Sequence, residues 1–181
     1  NMDCAFGIQG EDFVILAADR SVVQSIVKMQ DDDKKIIKIG EKQLLSSIAE
    51  VPVRKEFTKL IKSKLLYQFY KYGHSPLTSE AAYFTRFEVS DSLRSKNPMQ
   101  VGSIIAGVDN DVPSLYIIEQ LGGIEKVTKA VLGYCSHFLY GLIDSCYKRD
   151  FNLNEGKDCI RKCILELKTR FLVNIKDFDV Y

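Results

Sequence analysis

The sequence predicts an α+β fold of four layers, two antiparallel sheets packed face to face between two layers of helices. Three observations predict it. Strand-like runs come in two groups with a pair of helical runs between them, and a second helical pair follows the second group. The inner strands are apolar without alternation, so they require cover on both faces. No Pro-rich linker, low-complexity stretch or short repeat divides the 181 residues, and a chain of this length with 46% hydrophobic content can bury roughly 70% of its unfolded surface as one domain. The domain is expected to span residues 1–181.

The elements follow in order. Residues 3–9 and 13–19 read as two strands around the turn "GED", the second carrying the apolar run Phe13–Ala18. Residues 35–39 ("KIIKI") and 44–49 ("LLSSIA") repeat that pattern around "GEKQ". The period then changes. After Pro52, suited to a first helical turn, Phe57, Leu60, Ile61, Leu65 and Phe69 recur at helical spacing until Gly73 ends the run. A second helix over about 78–95 is signalled by Pro76 and Thr78, and Pro98 closes the region. Strands return at 101–108, 114–118 and 126–132. A third helix near 134–148 gathers Cys135, Phe138, Leu139, Leu142, Ile143 and Cys146 on one face, and a fourth gathers Ile160, Cys163, Ile164, Leu167 and Phe171. Asn152 and Glu155 have capping-box spacing before that fourth helix. The closing "IKDFDVY" alternates and reads as a strand.

Composition narrows the function classes. Lys and Arg total 25 against 24 Asp and Glu, a formal net charge of +1, which gives no long-range attraction to nucleic acid or anionic lipid. Phe13–Ala18 is the longest fully apolar run and is far too short to cross a bilayer. A soluble protein is expected, with no nucleic-acid or membrane partner. Five cysteines, Cys4, Cys135, Cys146, Cys159 and Cys163, are an odd number without paired spacing or a secretory leader, pointing to reduced thiols in the cytoplasm or nucleus. Cys159 and Cys163 sit at i and i+4, yet with His137 and Cys135 they form no CxxC-type zinc set, so buried thiols and no metal are expected. His137 and Asp144 share a helical face without an activated nucleophile nearby. "GIQG" and "GYCS" lack the strand, loop and helix context of a phosphate site, so no cofactor is expected. "DDDKK" (31–35) reads as a mostly solvated turn, with Lys35 the exception.

Several stretches carry a family resemblance when taken together: "FGIQGEDFVILAADR" (6–20), the lysines at 34 and 35, "FTRFEVSDSLRSKNPMQVGSIIAGVD" (84–109), "GYCSHFLYGLID" (133–144) and "CILELKTRFLVNIKDFDV" (163–180). In order and in register with the predicted elements, they make a chain that resembles the beta-type subunits of the eukaryotic 20S proteasome core, over nearly all of its length. The implied fold is that of the N-terminal-nucleophile hydrolases. "GIQG", "FTR", "LRSKNP" and "KTRFLVNI" are most similar to the noncatalytic member at the fourth position of the beta ring. The resemblance implies a structural role in assembly and in the chamber for ATP- and ubiquitin-dependent degradation. It also implies partners: beta subunits at the third and fifth ring positions, the alpha ring and the opposite beta ring.

Active members of that family attack with a processed N-terminal threonine whose own amine is the base, aided by a lysine. By resemblance, the threonine position falls on Asn1 or Met2, which carry no hydroxyl or thiol. The family's aspartate falls on Asp19 and its lysine on Lys35, sixteen positions later, as a retained ion pair. The helper positions fall on Tyr134, Phe171 and Asn174, and each is lost. "AEVP" (49–52) replaces the glycine backbone that donates to the oxyanion. Together these imply no catalytic residue. The competing enzyme reading is cleavage after Asp3, which exposes Cys4 as an N-terminal nucleophile of a self-processed amidohydrolase. Strand parity opposes it, since a shift of three residues turns Cys4 to the face away from Lys35. The helices near 53–71 and 134–148 are each expected to carry a second, exposed contact face.

Overall fold

A computed structural model describes residues 2–24, 27–30, 32–171 and 177–181 of the chain. Its order is β1 (Cys4–Gln9), β2 (Val14–Asp19), β3 (Val22–Gln24), β4 (Val27–Gln30), β5 (Ile36–Gly40), β6 (Gln43–Ile48), α1 (Val51–Tyr72) and α2 (Thr78–Ser92). There follow β7 (Gly102–Asp109), β8 (Val112–Ile118), β9 (Ile124–Val127), β10 (Lys129–Gly133), α3 (Ser136–Cys146), α4 (Leu153–Arg170) and β11 (Phe178–Val180). The first sheet runs β10-β1-β2-β11 and the second β5-β6-β7-β8-β9, all pairs antiparallel. The expected mixed α+β class, the four helices and the antiparallel pairing are therefore present.

Side-chain parity explains how the sheets are covered. Along β1, Cys4, Phe6 and Ile8 join a cluster with Leu139 and Ile143 of α3 and Ile160, Cys163 and Leu167 of α4. Ala5, on the opposite face, joins Leu16, Ile104, Ala106 and Leu115 from strands of both sheets. The second sheet's other face, through Leu45, Ile105 and Tyr116, meets Phe57, Ile61 and Leu65 of α1 and Ala81, Ala82 and Val89 of α2. A strand such as β1 cannot alternate apolar with polar, because neither of its faces meets water.

Local chemistry sets the boundaries. Pro52 lies in the first turn of α1, and Gly73 ends it at φ 77° with its N–H donated to the Phe69 carbonyl. The capping box of α4 forms: Asn152 Oδ1 accepts from Glu155 N at 3.0 Å, and Glu155 Oε2 accepts from Asn152 N at 3.0 Å. In the β7–β8 hairpin, Asn110 and Asp111 take φ of 49° and 63°, left-handed angles that match the twist of a two-residue turn.

Three expectations need correction. The strand read over 126–132 is two strands in different sheets: β9 closes the second sheet, and after Thr128 the chain crosses to β10 on the first. The antiparallel pair β3 and β4 lies where no strand was expected. Phe69, placed on the core stripe of α1, is exposed, and the buried stripe starts instead at Arg54. The second helix does start at Thr78, as expected, and ends at Ser92; its entry is held by Leu77 N donating to Glu80 Oε2 at 2.8 Å.

The α4 cap is testable alone. Asn152→Ala leaves one first-turn N–H of α4 without its acceptor and should cost about 1 kcal/mol in chemical denaturation; an unchanged midpoint would show that water serves that N–H equally well.

Candidate functional site

Lys35 immediately precedes β5 in the second sheet, Asp19 ends β2 in the first, and Asp3 immediately precedes β1. All three meet in the interior, with residue exposures of 1% for Lys35, 1% for Asp19 and 4% for Asp3. Lys35 Nζ donates to Asp3 Oδ1 at 2.7 Å, to both carboxylate oxygens of Asp19 at 2.8 Å and to the Ser21 carbonyl at 2.8 Å. Asp19 is itself oriented by backbone donors, Cys4 N at 2.8 Å and Ser21 N at 3.2 Å. An ammonium held by two carboxylates and a carbonyl is fully satisfied, as a buried charge must be. Burial pushes the Asp19 carboxyl above the ordinary carboxylate range. The neighbouring ammonium of Lys35 and the Cys4 N–H pull it back, and the Asp3 charge adds to the rise.

The structure thus brings Asp19 and Lys35 together as expected and adds a residue that the sequence reading missed. Asp3 is the residue that reaches Lys35, next to the positions Asn1 and Met2 that the resemblance implied; Asn1 lies outside the described residues. The signal was strand parity. Cys4 faces α3 and α4, so its neighbours Asp3 and Ala5 share the inter-sheet face. The same alternation overturns the reading of "DDDKK" as a mostly solvated turn. Asp33 and Lys35 are buried, while Asp32 and Lys34 point outward. Buried Asp33 pairs with buried Arg54 of α1, and exposed Asp32 pairs with Arg20, which holds the Asp32 carboxyl below its ordinary range. Asp31 is outside the described residues.

Tyr134 borders a cleft together with Ala49 and Glu50 of the "AEVP" stretch. A cavity of about 540 Å³ is lined by Ile48, Glu50, Val53, Gly133, Tyr134 and His137 among others, and Lys35 is not one of its lining residues. Tyr134 N donates to the Asp3 carbonyl at 3.1 Å. Gly133, at φ 86°, comes so close that an added Cβ would lie 2.1 Å from the same carbonyl oxygen, a position only glycine can hold. The Tyr134 ring packs against Phe171 at 5.6 Å between centroids, and against Phe138 and His137. Two of the three helper positions, Tyr134 and Phe171, are therefore one aromatic cluster, and Asn174 lies outside the described residues. The Asp144 carboxylate pairs with Lys129 and not with His137.

The cysteines also depart from expectation. Cys4 is bonded to Cys135, and Cys146 to Cys159, with Cα separations of 5.4 and 6.1 Å, inside the range that a disulfide spans. Only Cys163 remains free, and burial pushes its thiol up to about 12. Five reduced thiols were expected because spacing along the chain says nothing of a pair 131 residues apart. Cys4 is fully buried on the helix-facing side of β1, so its sulfur lies away from Lys35. Among the described residues no group of three His, Cys, Asp or Glu side chains could hold a metal ion, and no helix is long and apolar enough to cross a membrane.

Comparison with known proteins places this geometry in context. A family model described as "Proteasome subunit" matches residues 2–181. The chain is 38% identical to proteasome subunit beta type-2 of Oryza sativa subsp. japonica, over 99% of this chain and 84% of the relative. It is 39% identical to proteasome subunit beta type-2 of Dictyostelium discoideum, over 95% of this chain and 87% of the relative. It is 29% identical to proteasome subunit beta type-4 of Saccharomyces cerevisiae, over 97% of this chain and 89% of the relative.

Lys35→Met strands two buried carboxylates and should destabilise the chain by about 3–5 kcal/mol. The pH dependence has a definite sign. A carboxyl whose folded pKa is raised above its unfolded value contributes stability below the unfolded value and loses it as pH rises through the folded one. Removing Lys35 deletes the largest opposing pull on Asp19, so the deficit should be larger at about pH 7.5 than at about pH 5. Urea midpoints at both values check this; a deficit that grows on acidification would contradict the burial argument.

Proposed function

The chain belongs to the proteasome subunit family, and on that premise we propose that it is a noncatalytic beta-type subunit of the 20S core, forming chamber wall without cutting peptides. The observation that carries this reading is the identity of the group at Lys35. Where an attacking hydroxyl and its amine are needed, the ammonium holds the carboxylate of Asp3. A carboxylate ion-paired to an ammonium has its charge already neutralised and cannot act as an N-terminal nucleophile with its own base.

The surroundings support the same reading. Glu50 places a carboxylate on the rim of the cleft, where a developing oxyanion would need donors and not another negative charge. Tyr134 and Phe171 fill helper positions with aromatic rings. The Cys4 alternative requires a free thiol facing Lys35, and that sulfur is bonded to Cys135 on the opposite face.

The subunit's work is then geometric. The three packed clusters, helices on sheet, sheet on sheet and sheet on helices, support a four-layer αββα sandwich with the N-terminal-nucleophile hydrolase arrangement. Partners are beta subunits at the third and fifth ring positions, the alpha ring and the opposite beta ring. Tyr67, Tyr70 and Tyr72 of α1 and Tyr83 and Phe87 of α2 are exposed in the single chain, an aromatic concentration typical of contact surfaces. On α3 the corresponding face is smaller, with Tyr140 its exposed aromatic. Within the complete particle the chain contributes to ATP- and ubiquitin-dependent degradation in the cytoplasm and nucleus.

The experiment separates wall from blade. Particles carrying Lys35→Met should form in lower yield yet keep every peptidase activity per assembled particle within about twofold, because a residue that touches no substrate changes no transition-state contact. Selective loss of one peptide specificity at normal assembly would show that the site acts on substrate.

A further inference from the structure

The two cysteine pairs differ in their access to solvent. Cys4 and Cys135 are both fully buried beneath α3, where no reagent reaches them without unfolding. Cys146, the last residue of α3, is partly exposed, and its partner Cys159 lies in α4 with 2% exposure. Both line a surface cavity of about 420 Å³ whose rim carries Lys148, Lys162, Glu155 and Asp158. Two cations and two anions around one partly exposed sulfur match a small zwitterionic thiol peptide better than they match an anion or a cation alone.

We propose that Cys146 and Cys159 form a redox-exchangeable clip between α3 and α4, closed and opened by low-molecular-weight thiols and disulfides of the glutathione class. In closing, the Cys146 thiolate attacks a sulfur of glutathione disulfide, forming a mixed disulfide and releasing one glutathione thiolate. The Cys159 thiolate then attacks the Cys146 sulfur, forms the intrachain bond and releases a second glutathione. Two protein thiols are oxidised, one glutathione disulfide is reduced to two thiols, and the two protons pass to solvent or to the released thiolates. Opening is the reverse. The clip spans the connection 147–152, which is otherwise tied to β1 by Tyr147 Oη donating to the Gln9 carbonyl at 3.0 Å. Closing it fixes the end of α3 against α4.

A disulfide in a reducing compartment is characteristically transient and regulatory; that part rests on the location proposed above, whereas the exchange itself depends only on the geometry. Cys163 serves as an internal reference. It is buried in the same helix, its thiol is held protonated by burial, and it has no bonded partner among the described residues.

The test uses the intact complex containing the full chain, equilibrated in buffers of stepped reduced-to-oxidised glutathione ratio, acid-quenched, alkylated and read by peptide mass spectrometry. The Cys146–Cys159 peptide pair should pass from about one tenth to about nine tenths bonded over roughly a hundredfold change in the squared-thiol-to-disulfide quotient. Over the same series Cys4–Cys135 should not change. In Cys159→Ser, oxidising buffer should leave one glutathione on Cys146. Hydrogen exchange in 147–152 should slow when the clip is closed. A Cys146–Cys159 state that ignores the ratio overturns the proposal, as does movement of both pairs at one midpoint, which marks global unfolding. The titration of the unsubstituted chain decides the matter even where Cys159→Ser fails to fold. These readouts do not depend on peptidase activity, so their failure leaves the noncatalytic assignment intact.

Discussion

The ammonium of Lys35 is the charge on which the two sheets converge. It stands at the start of the second sheet, and its acceptors, Asp19 and Asp3, belong to the end of β2 and the approach to β1 in the first. A lone ammonium cannot stay charged in such an interior, and two lone carboxylates cannot either, so each group requires the others. The consequence spreads outward from the cluster. Fixing Asp3 fixes its carbonyl, which receives Tyr134 N, and that contact requires a glycine at position 133. Asp33 and Arg54 repeat the device two residues earlier, tying the approach to β5 to the first turn of α1.

On the proposed noncatalytic reading, the same arrangement accounts for a chain that keeps part of a reaction site without the reaction. Lys35 and Asp19 have a structural reason to persist that owes nothing to peptide cleavage, because removing either leaves an uncompensated charge in the core. The outer parts of the site carry no such constraint. The cleft beside Tyr134 can bear Glu50 and an aromatic cluster without loss to the fold. A retained ion pair therefore says more about packing than about activity, and the identity of the group facing the ammonium decides between them.

Much of this was legible in the residues. Pro52, Gly73 and the Asn152–Glu155 spacing marked helix ends because capping chemistry is local, and the unbroken apolar runs of β1 and β2 told of two covered faces. What stayed hidden depends on partners distant in the chain. Nothing local marks Asp3 and Arg54 as buried until their counter-charges are brought to them. The break at Thr128 is invisible because β9 and β10 have the same strand character and differ only in which sheet they join. The cysteine pairs were beyond reach for the same reason. The alternation within "DDDKK" was hidden too, because all five residues are charged and only the burial of Asp33 and Lys35 against exposed Asp32 and Lys34 reveals the strand-like period.

The central claim is that a carboxylate, and no nucleophile, faces Lys35. The most direct measurement is mass spectrometry of this chain's N-terminal peptide from purified particles treated with a covalent electrophile directed at N-terminal nucleophiles. An unmodified peptide that still contains Asp3 is the predicted result. A chain beginning at Cys4, or an adduct on the residue that faces Lys35, would contradict it.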